Sequence, residues 1–588
     1  MFSSSGLRRS VRPLALLGLV PVRVRIIAIA MGVVESCLPP AVAFSFGSLV
    51  ERSSTGGPLV VAAATLVALL AVQQLSEIAI APIRERVARE IDGRFRRSVG
   101  ALALSPVGVS HLDDPVVADL IGRATSEVNG FTPGRASAAQ VVVISQVAAA
   151  LGCLVLLSFR APLAALAMLV LLVLARVSTT RVLVRLNDVV VRAGALAGRA
   201  DYWRRLATGI EGAKEVRVFG LAEWVVDRWR DRHTDRVRTV SRARARALVL
   251  AWLPLAPVGA AALVGLLAVV GVAEPGPVAQ HVMAVFGALG LGAVSWDVFV
   301  LAHGRAPLDA YDRLRTVLPP APAPEPFAPP TGGPPSIRFE DVAFAYGDGD
   351  PVLSGITLDV APGEVVAVVG VNGAGKSTCV KLLQRLYEPD RGRITVDGVD
   401  LRDLDARAWR DRIAFVGQDF ARLDLSLRDN VTLGAPERRH DDELFEAVAA
   451  EFDLADLVPA DTGWDTPLSR GRTGGTDLSG GQWQRVALAR ALFAVRAGRQ
   501  VLVLDEPTAH LDADAEFAVF HQVVTAMRGA SIILVSHRLA TVRFADRIAV
   551  FRDGVVSELG SHSDLIASPA DYARMFDVQA SPFAEDLS

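Results

Sequence analysis

The chain has 588 residues, which is long enough for two or more domains. Its net charge of −2 gives no signal for nucleic-acid binding, and its three widely spaced cysteines do not form a pattern typical of a disulfide framework or a zinc site. Hydrophobic residues make up 51% and charged residues 21%. This balance, with a mean hydropathy of +0.37, predicts a protein that lies partly in a lipid bilayer and partly in water.

Six long apolar stretches occupy the first half of the chain. Each reaches the roughly 20 residues that a helix needs to cross the hydrocarbon core of a bilayer. They are residues 26–50, 58–83, 136–157, 162–184, 247–272 and 278–301. We therefore predict an all-α transmembrane domain of six helices over residues 1–317.

The connections between these stretches are unequal in length and charge. Three are short, whereas residues 84–135 and 185–246 form long connections that are rich in arginine. Because arginine excess marks cytoplasmic loops, we expect the long connections and both termini to be cytoplasmic. The spans are expected to continue as helices into these connections.

A proline-rich segment, "LPPAPAPEPFAPPTGGPPS", covers residues 318–336. Proline at this density fits neither a helix nor a central strand, so the segment is predicted to be a semi-rigid linker. Beyond it, "SIRFEDVAFAYG" alternates apolar residues as a strand does. Residues 337–588 are therefore predicted to form a separate α/β domain.

The sequence "GVNGAGKS" lies between the β-branched run "GEVVAVVG" and the helical "TCVKLLQRLY". It matches a phosphate-binding loop in the strand–loop–helix context that this motif requires. Backbone N–H groups of such a loop surround phosphate oxygens, and the helix N-terminus adds positive potential. Lys376 is expected to reach the β- and γ-phosphates and Ser377 to bind Mg²⁺. The predicted nucleotide contacts are Gly370, Asn372, Gly373, Ala374, Gly375, Lys376, Ser377 and Thr378.

A second apolar strand, "VLVLDEP", ends in two carboxylates. Asp505 is placed to hold Mg²⁺ and Glu506 to polarise an attacking water, and phosphoryl transfer needs both parts. Gln418 in "IAFVGQDF" and His537 in "ILVSHRL" also follow apolar strands. These two residues carry little information by themselves.

The order of Tyr346, the phosphate loop, Gln418, "LSGGQ", "VLVLDEP" and His537 is typical of ATP-binding cassette (ABC) transporters. Residues 337–575 resemble the ATPase domain of that family, and the six apolar stretches resemble the membrane domain of its exporters. The resemblance implies a half-transporter with ATP and Mg²⁺ as cofactors, in which an all-α transmembrane domain precedes an α/β P-loop ATPase domain.

The resemblance also implies roles for individual residues. Tyr346 would stack on adenine, Gln418 would sense the γ-phosphate and contribute to the Mg²⁺ site, and His537 would contact the γ-phosphate. Asp512, preceded here by Ala-His-Leu where the family often has Ser-Ala-Leu, would communicate across a dimer. The signature would cap the ATP held by a second cassette, and its residues are Leu478, Ser479, Gly480, Gly481 and Gln482.

A dimer is therefore the expected working unit. A second identical chain is favoured because Glu506, His537 and the signature are all intact, and a heterodimer is the alternative. Residues 111–124 and 209–229 resemble the cytoplasmic loops that couple membrane and ATPase domains in exporters. Arginine greatly outnumbers lysine, which occurs three times, and this bias indicates a bacterial protein of the inner (plasma) membrane.

Three carboxylates, Glu35, Glu77 and Asp297, fall in or near the cytoplasmic halves of apolar stretches. An intramembrane carboxylate is a candidate functional site, so they predict a cavity for a cationic or amphipathic substrate. The alternative is that they face the cytosol or pair with arginines such as Arg84. We expect ATP-driven export of a drug, lipid or peptide natural product, with an exporter-shaped importer or an ATP-gated channel or regulator as alternatives. The roughly twenty residues before the first span are too few for a leader-peptidase domain.

Overall fold

The computed structural model describes residues 13–125, 131–192, 194–209, 212–252, 256–260, 263, 274–292, 296–318, 332–347, 349–469, 471–507 and 529–584. The chain divides into two compact units. The first comprises Met1–Ser105 and Pro115–Pro319, and the second comprises Pro106–Asp114 and Pro320–Ser588. The division lies in the predicted linker, most of which is outside the described residues. The transmembrane domain predicted from the sequence includes Pro106–Asp114, but this segment belongs with the second unit.

The described part of the first unit is helical. Its helices are α1 (Val22–Thr55), α2 (Leu59–Ala103), α3 (Pro115–Thr125), α4 (Pro133–Ser158), α5 (Pro162–Arg192), α6 (Gly194–Thr208), α7 (Ala213–Val218), α8 (Ala222–Trp252), α9 (Pro275–Leu289), α10 (Trp296–His303) and α11 (Ala306–Val317). Among the described residues, four helices are long and apolar enough to cross a membrane: α1, α2, α4 and the Pro162–Val182 part of α5. These four correspond to the first four predicted spans.

The last two predicted spans have different outcomes. The fifth, residues 247–272, lies largely outside the described residues. The sixth was expected to be one helix over residues 278–301, and this is wrong, because α9 ends at Leu289 and α10 begins at Trp296. After Leu289 the backbone turns with i→i+3 hydrogen bonds from Gly290, Leu291 and Gly292. Closely spaced glycines lower helix propensity and allow such a turn.

Small residues let the helices of the first unit approach closely. A Cβ atom on Gly47 of α1 would lie 2.6 Å from Gln280 Cβ of α9, and one on Gly287 of α9 would lie 2.5 Å from Cys153 Sγ of α4. Such close contacts are typical of helix packing inside a membrane, where apolar burial by itself does not bring helices together.

The second unit is an α/β structure with two sheets. Its strands are β1 (Ile337–Ala345), β2 (Pro351–Val360), β3 (Val365–Gly370), β4 (Arg391–Val396), β5 (Val399–Asp400), β6 (Ile413–Val416), β7 (Val501–Asp505), β8 (Ser531–Val535), β9 (Arg547–Arg552) and β10 (Val555–Gly560). An antiparallel sheet has the order β2-β1-β4-β5, and a larger sheet has the order β10-β9-β3-β8-β7-β6. In the larger sheet only the β9–β10 pair is antiparallel.

Helices cover this framework. They are α12 (Lys376–Leu383), α13 (Ala406–Arg410), α14 (Leu427–Thr432), α15 (Asp442–Glu451), α16 (Gly480–Arg496), α17 (Leu539–Val542), α18 (His562–Ala567) and α19 (Asp571–Ala584). A single helical turn, Ser110–Asp113, also belongs to this unit. Strands β7 and β8 are buried along their whole length, which explains their continuous apolar sequences, because a parallel sheet is covered on both faces.

The parallel strands decide where the site forms. Strands β3, β6, β7 and β8 run in the same direction, so their carboxyl ends lie along one edge of the sheet. Ligands of open α/β sheets bind beyond that edge. The phosphate loop follows β3, Gln418 follows β6, Glu506 follows β7 and His537 follows β8.

Candidate functional site

A cavity of about 410 Å³ lies at this edge of the larger sheet. Predicted site residues from four separate parts of the sequence contribute to it. The lining residues are Val352, Asn372, Gly373, Gly375, Lys376, Ser377, Thr378, Gln418, Glu506 and His537.

The phosphate loop has a backbone shape that only glycine accommodates. Gly370 has a φ of 148° and Gly375 a φ of 95°, in the region that L-residues rarely adopt. A Cβ atom on Gly370 would lie 2.2 Å from Phe551 O, and one on Gly375 would lie 2.4 Å from Leu353 Cδ2. Gly373 has a φ of 83° and lines the cavity. A Cβ atom on Gly373 would have no other atom within 4 Å.

Lys376 lies at the base of this loop and is 6% exposed. Its Nζ donates hydrogen bonds to Gly370 O and Val371 O, each 2.9 Å long. Burial lowers the pKa of Lys376, while the charges of Glu506 and Asp505 oppose that change. The ammonium group is thus held among the loop carbonyls, beside two carboxylates that favour its charged form.

Ser377 and Asp505 form the part of the site that suits a cation. Ser377 Oγ donates a hydrogen bond to Asp505 Oδ1 at 3.2 Å. The pKa of Asp505 is raised, chiefly by burial and also by the negative charge of Glu506, while the hydrogen bond from Ser377 opposes this change. A hydroxyl and a carboxylate oxygen are hard ligands of the type that Mg²⁺ prefers beside substrate phosphates. The described residues contain no cluster of three or more His, Cys, Asp or Glu side chains that could hold a metal, and a phosphate-loop Mg²⁺ site does not need one.

Glu506 and His537 face each other at the cavity, with Glu506 Oε1 3.4 Å from His537 Nδ1. Glu506 has a φ of 49°, and its backbone N–H donates to Val535 O at 2.9 Å. A left-handed conformation at a non-glycine residue is strained and persists only where the surrounding structure holds it. The bond to β8 holds the backbone of Glu506, whose side chain lines the cavity.

Gln418 and Tyr346 have different relationships to the cavity. The exposed Gln418 lines it. Tyr346, the predicted adenine contact, does not line it but approaches it through Thr378, because the Tyr346 hydroxyl lies 3.2 Å from Thr378 Oγ1.

The signature lies at the start of α16, and none of its five residues lines this cavity within the described chain. Leu478 is buried. Ser479 and Gln482 form a reciprocal capping box, in which Ser479 N donates to Gln482 Oε1 and Gln482 N donates to Ser479 Oγ. The side chain of Gln482, a predicted contact for a second cassette's ATP, is thus engaged in capping its own helix. Asp512 lies outside the described residues.

The predicted intramembrane carboxylates share a second cavity, of about 420 Å³, in the first unit. Glu35 of α1, Glu77 of α2 and Asp297 of α10 line it together with Arg84. Arg84 Nη2 lies 3.6 Å from Glu35 Oε1. Pairing with Arg84, the alternative raised by the sequence, therefore applies to Glu35.

Two residues that the sequence did not single out, Arg490 and Asn430, connect the helix that begins at the signature to the segment that follows Gln418. Arg490 of α16 donates from Nε to Asn430 O at 2.7 Å and from Nη2 to Asn430 Oδ1 at 3.1 Å. Its guanidinium also reaches Ala421 O, in the loop that follows Gln418. An arginine within the apolar face of a helix, in "QRVALARAL", was the available signal.

Comparison with known proteins supports this description of the cassette. Residues 353–509 match the ABC transporter family. A protein described as "ATP-dependent lipid A-core flippase" from Alkalilimnicola ehrlichii is 33% identical over 395 residues, 65% of each chain. One described as "Multidrug resistance protein 1" from Entamoeba histolytica is 40% identical over 243 residues, which are 40% of this chain and 18% of that protein. The chain thus aligns with less than two thirds of the length of each of these relatives.

A solved structure extends the similarity to most of the chain. It is described as "Structure of a bacterial Atm1-family ABC exporter with ATP bound", has a TM-score of 0.72 and is 23% identical in sequence. The match covers 95% of this chain and 98% of that one, and at this identity the similarity is one of fold. The chain therefore contains an ATP-binding domain of the ABC transporter family, and its fold, in which apolar helices precede this domain, is similar to that of a solved ABC exporter.

Proposed function

We propose that this protein uses ATP hydrolysis to export an amphipathic, positively charged substrate across a bacterial inner membrane, as a dimer of identical chains. The observation that carries the proposal is the cavity in which Lys376, the Ser377–Asp505 pair and the Glu506–His537 pair meet. The lipid A-core flippase and multidrug resistance relatives point toward amphipathic cargo.

The residues of the cavity divide the work of phosphoryl transfer. Backbone N–H groups of the glycine loop and the N-terminus of α12 attract the triphosphate, and Lys376 exchanges carbonyl acceptors for phosphate oxygens. Ser377 and Asp505 would hold Mg²⁺, which neutralises charge on the β- and γ-phosphates when it is bound. Glu506 orients and polarises the attacking water, and His537 donates to the γ-phosphate.

The signature supports a dimer. The first turn of a helix leaves backbone N–H groups without intrahelical acceptors, and Ser479 is exposed at the start of α16. A second cassette could present its bound ATP to Ser479, Gly480 and Gly481. Val218 and Phe219, which lie within the predicted coupling region 209–229, are 78% and 69% exposed and could pack against a second chain.

The second cavity supports the proposed substrate class. Three carboxylates face one guanidinium there, so the cavity has an excess of negative charge. Its apolar lining includes Leu38, Ile80 and Val142. A lipophilic cation would satisfy both the charge and the apolar surface.

The first experiment measures Mg²⁺-dependent ATP hydrolysis by the purified full chain in lipid nanodiscs. We expect turnover that Glu506→Gln reduces by about a hundredfold or more without loss of ATP binding. Glu443→Gln, at an exposed residue of α15, is the matched control. A folded protein that binds ATP without turnover would contradict the identical-chain dimer and point to a different partner chain.

The substrate class is tested with two ions of the same shape and opposite charge, tetraphenylphosphonium and tetraphenylborate. We expect only the cation to stimulate ATP hydrolysis. The combined Glu35→Gln, Glu77→Gln and Asp297→Asn variant should lose the stimulation, whereas Glu51→Gln, on an exposed residue of α1, should keep it. Equal stimulation of parent and combined variant would contradict the cationic substrate. Uptake of the cation into inverted vesicles supports export, and uptake into right-side-out vesicles would contradict it.

A further inference from the structure

A cluster of three aromatic rings lies beside the nucleotide cavity, and we call Phe344, Tyr346 and Tyr387 the aromatic cluster. The ring centroid of Tyr346 lies 4.9 Å from that of Phe344 and 5.2 Å from that of Tyr387, in both cases edge to face. Phe344 and Tyr387 are 5.6 Å apart. Because edge-to-face pairs depend on ring orientation, a change in the position of Tyr346 affects Tyr387 directly.

Lys381 fixes one end of the cluster. Its Nζ lies 5.4 Å from the ring centroid of Tyr346 and 6.0 Å from that of Tyr387, within the range of cation–π attraction. It also donates a hydrogen bond of 3.3 Å to the Tyr346 hydroxyl. An ammonium group cannot accept, so the Tyr346 hydroxyl accepts this bond and can donate its own proton to Thr378 Oγ1. Tyr346 is thereby attached to a residue that lines the nucleotide cavity.

Tyr387 fixes the other end. Its hydroxyl donates a hydrogen bond of 2.6 Å to Asp113 Oδ2. Burial, the hydrogen bond to Asp113 and the negative charge of Asp113 together raise the pKa of Tyr387 to about 12. The hydroxyl therefore keeps its proton at neutral pH, and the bond to the carboxylate is of the strong, charge-assisted kind.

Asp113 belongs to the segment Pro106–Asp114, which has further contacts with the chain that follows α12. Val109 N donates to Leu386 O at 2.8 Å, and the guanidinium of Arg410 donates to Val107 O. A Cβ atom on Gly108 would lie 2.6 Å from Leu386 O, so the two backbones are in close contact. The segment thus rests on Leu386 and Tyr387, three and four residues after the end of α12.

We propose that Lys381 and Tyr387 are positioning residues that couple the binding of a nucleotide base at Tyr346 to the attachment of Pro106–Asp114. This inference rests on the proposed function, in which Tyr346 stacks on adenine. A stacked base restricts the Tyr346 ring, which restricts Tyr387 and lowers the entropy cost of its bond to Asp113. Coupling between binding sites is reciprocal, so the attached segment increases the preference for ATP over a triphosphate without a base.

The test compares ATP with inorganic triphosphate, both with Mg²⁺, on the full-length Glu506→Gln protein in lipid nanodiscs. Hydrogen exchange is followed at residues 107–112, which include the Val109 amide. We expect ATP to slow this exchange about tenfold more than inorganic triphosphate does, within the usual range of coupling between two sites. The dissociation constants of both ligands are measured in the same samples.

Tyr387→Phe keeps the ring and removes only the bond to Asp113. We expect this variant to lose most of the difference in exchange and to bind ATP with a smaller preference over triphosphate. Lys381→Met, which removes the charge and the bond to Tyr346, should act in the same direction. Tyr572→Phe, which removes a hydroxyl bonded to His562 elsewhere in the cassette, is the matched control and should behave as the parent.

The outcomes separate this inference from the proposed function. A merely structural role for Tyr387 would weaken both ligands equally and leave their ratio unchanged, which would overturn the inference. If ATP is preferred over triphosphate but Tyr387→Phe retains the full difference in exchange, the inference fails and the ATP site stands. If the parent binds both ligands equally, Tyr346 is not a base contact and both ideas fail.

Discussion

Ser377 and Asp505 are 128 positions apart in the chain, yet the Ser377 hydroxyl donates directly to Asp505 Oδ1 at 3.2 Å. This bond joins the helix that follows the phosphate loop to the end of β7. The two oxygen atoms proposed to hold Mg²⁺ are thus brought together by the parallel pairing of β3, β8 and β7.

The first prediction concerns Asp505→Asn. Because burial and the Glu506 charge raise the pKa of Asp505 above its ordinary 3.8, the folded state binds this proton more tightly than the unfolded state. Its contribution to stability therefore falls as the pH rises from 3.8 through the folded-state pKa. At neutral pH, Asn removes the penalised charge, so the unfolding midpoint without nucleotide should not fall.

The same variant should lose its response to Mg²⁺ and ATP. At a hundredfold the dissociation constant, a ligand stabilises the parent by about 2.7 kcal/mol, and Asp505→Asn should lose most of this. Thermal unfolding with and without Mg²⁺-ATP measures both effects. Asp553→Asn is the control, because that residue is exposed and has a φ of 48°, which Asn tolerates. Full Mg²⁺-ATP stabilisation of Asp505→Asn would contradict its role in the Mg²⁺ site.

A second prediction compares two glycines of the phosphate loop. Gly370→Ala places a Cβ atom 2.2 Å from the backbone oxygen of Phe551, so we expect a loss of stability of roughly 3 kcal/mol or more. Gly373→Ala meets no atom within 4 Å and should cost only about 1–2 kcal/mol of backbone strain. The Gly373→Ala protein should therefore fold. It should bind ATP more weakly than the parent, because Gly373 lines the cavity. Denaturant unfolding and ATP titration distinguish the two, and equal stability losses would contradict the prediction.

A third prediction concerns Arg490, whose guanidinium bonds to Asn430 and Ala421. Burial lowers its pKa, and lysine cannot reproduce its planar set of donors. We expect Arg490→Lys to lower the free energy of unfolding by about 2 kcal/mol. Arg496 lies on the same helix as Arg490 and forms a surface ion pair with Glu451 of α15. Arg496→Lys should therefore lower the free energy of unfolding by less than about 1 kcal/mol. Denaturant unfolding measures both losses. Similar values would show that the hydrogen bonds of Arg490 contribute no more to the free energy of unfolding than the surface ion pair does.

A fourth prediction separates two roles of Gln482. Gln482→Ala removes half of the capping box and should destabilise the cassette by about 1 kcal/mol. Gln482→Glu keeps the capping geometry but adds a negative charge at the start of α16. If the signature faces the triphosphate of a second chain, the second variant should retain its unfolding midpoint and lose ATP hydrolysis. Normal hydrolysis by a stable Gln482→Glu protein would argue against that arrangement.

The order of motifs in the sequence was sufficient to identify the ABC transporter domain and to select most residues of the nucleotide cavity. Closely spaced glycines followed by a lysine are local requirements of phosphate binding, and carboxylates at the end of a buried strand suit a cation beside the phosphates. Both patterns can be recognised without coordinates. Strands β3, β7 and β8 could also be predicted from the sequence, because burial on both faces requires continuous apolar runs.

Other features depended on contacts that have no local pattern. The turn at residues 290–292 interrupts an apolar stretch that hydropathy treats as continuous, since hydropathy does not register the loss of helix propensity at closely spaced glycines. Arg490 is one arginine among many until its partners, 60 and 69 positions away, are known.

The sequence by itself thus determined the ABC transporter domain, the phosphate loop and the carboxylates at the end of β7, because each is recognised from short segments whose chemistry dictates their residues. Only the tertiary structure decided that Ser377 meets Asp505, that Gln482 caps its own helix and that Pro106–Asp114 joins the cassette. The bond from Tyr387 to Asp113 spans 274 positions. Such pairs are selected by the packing of whole elements, and no periodicity or spacing within either segment specifies its partner.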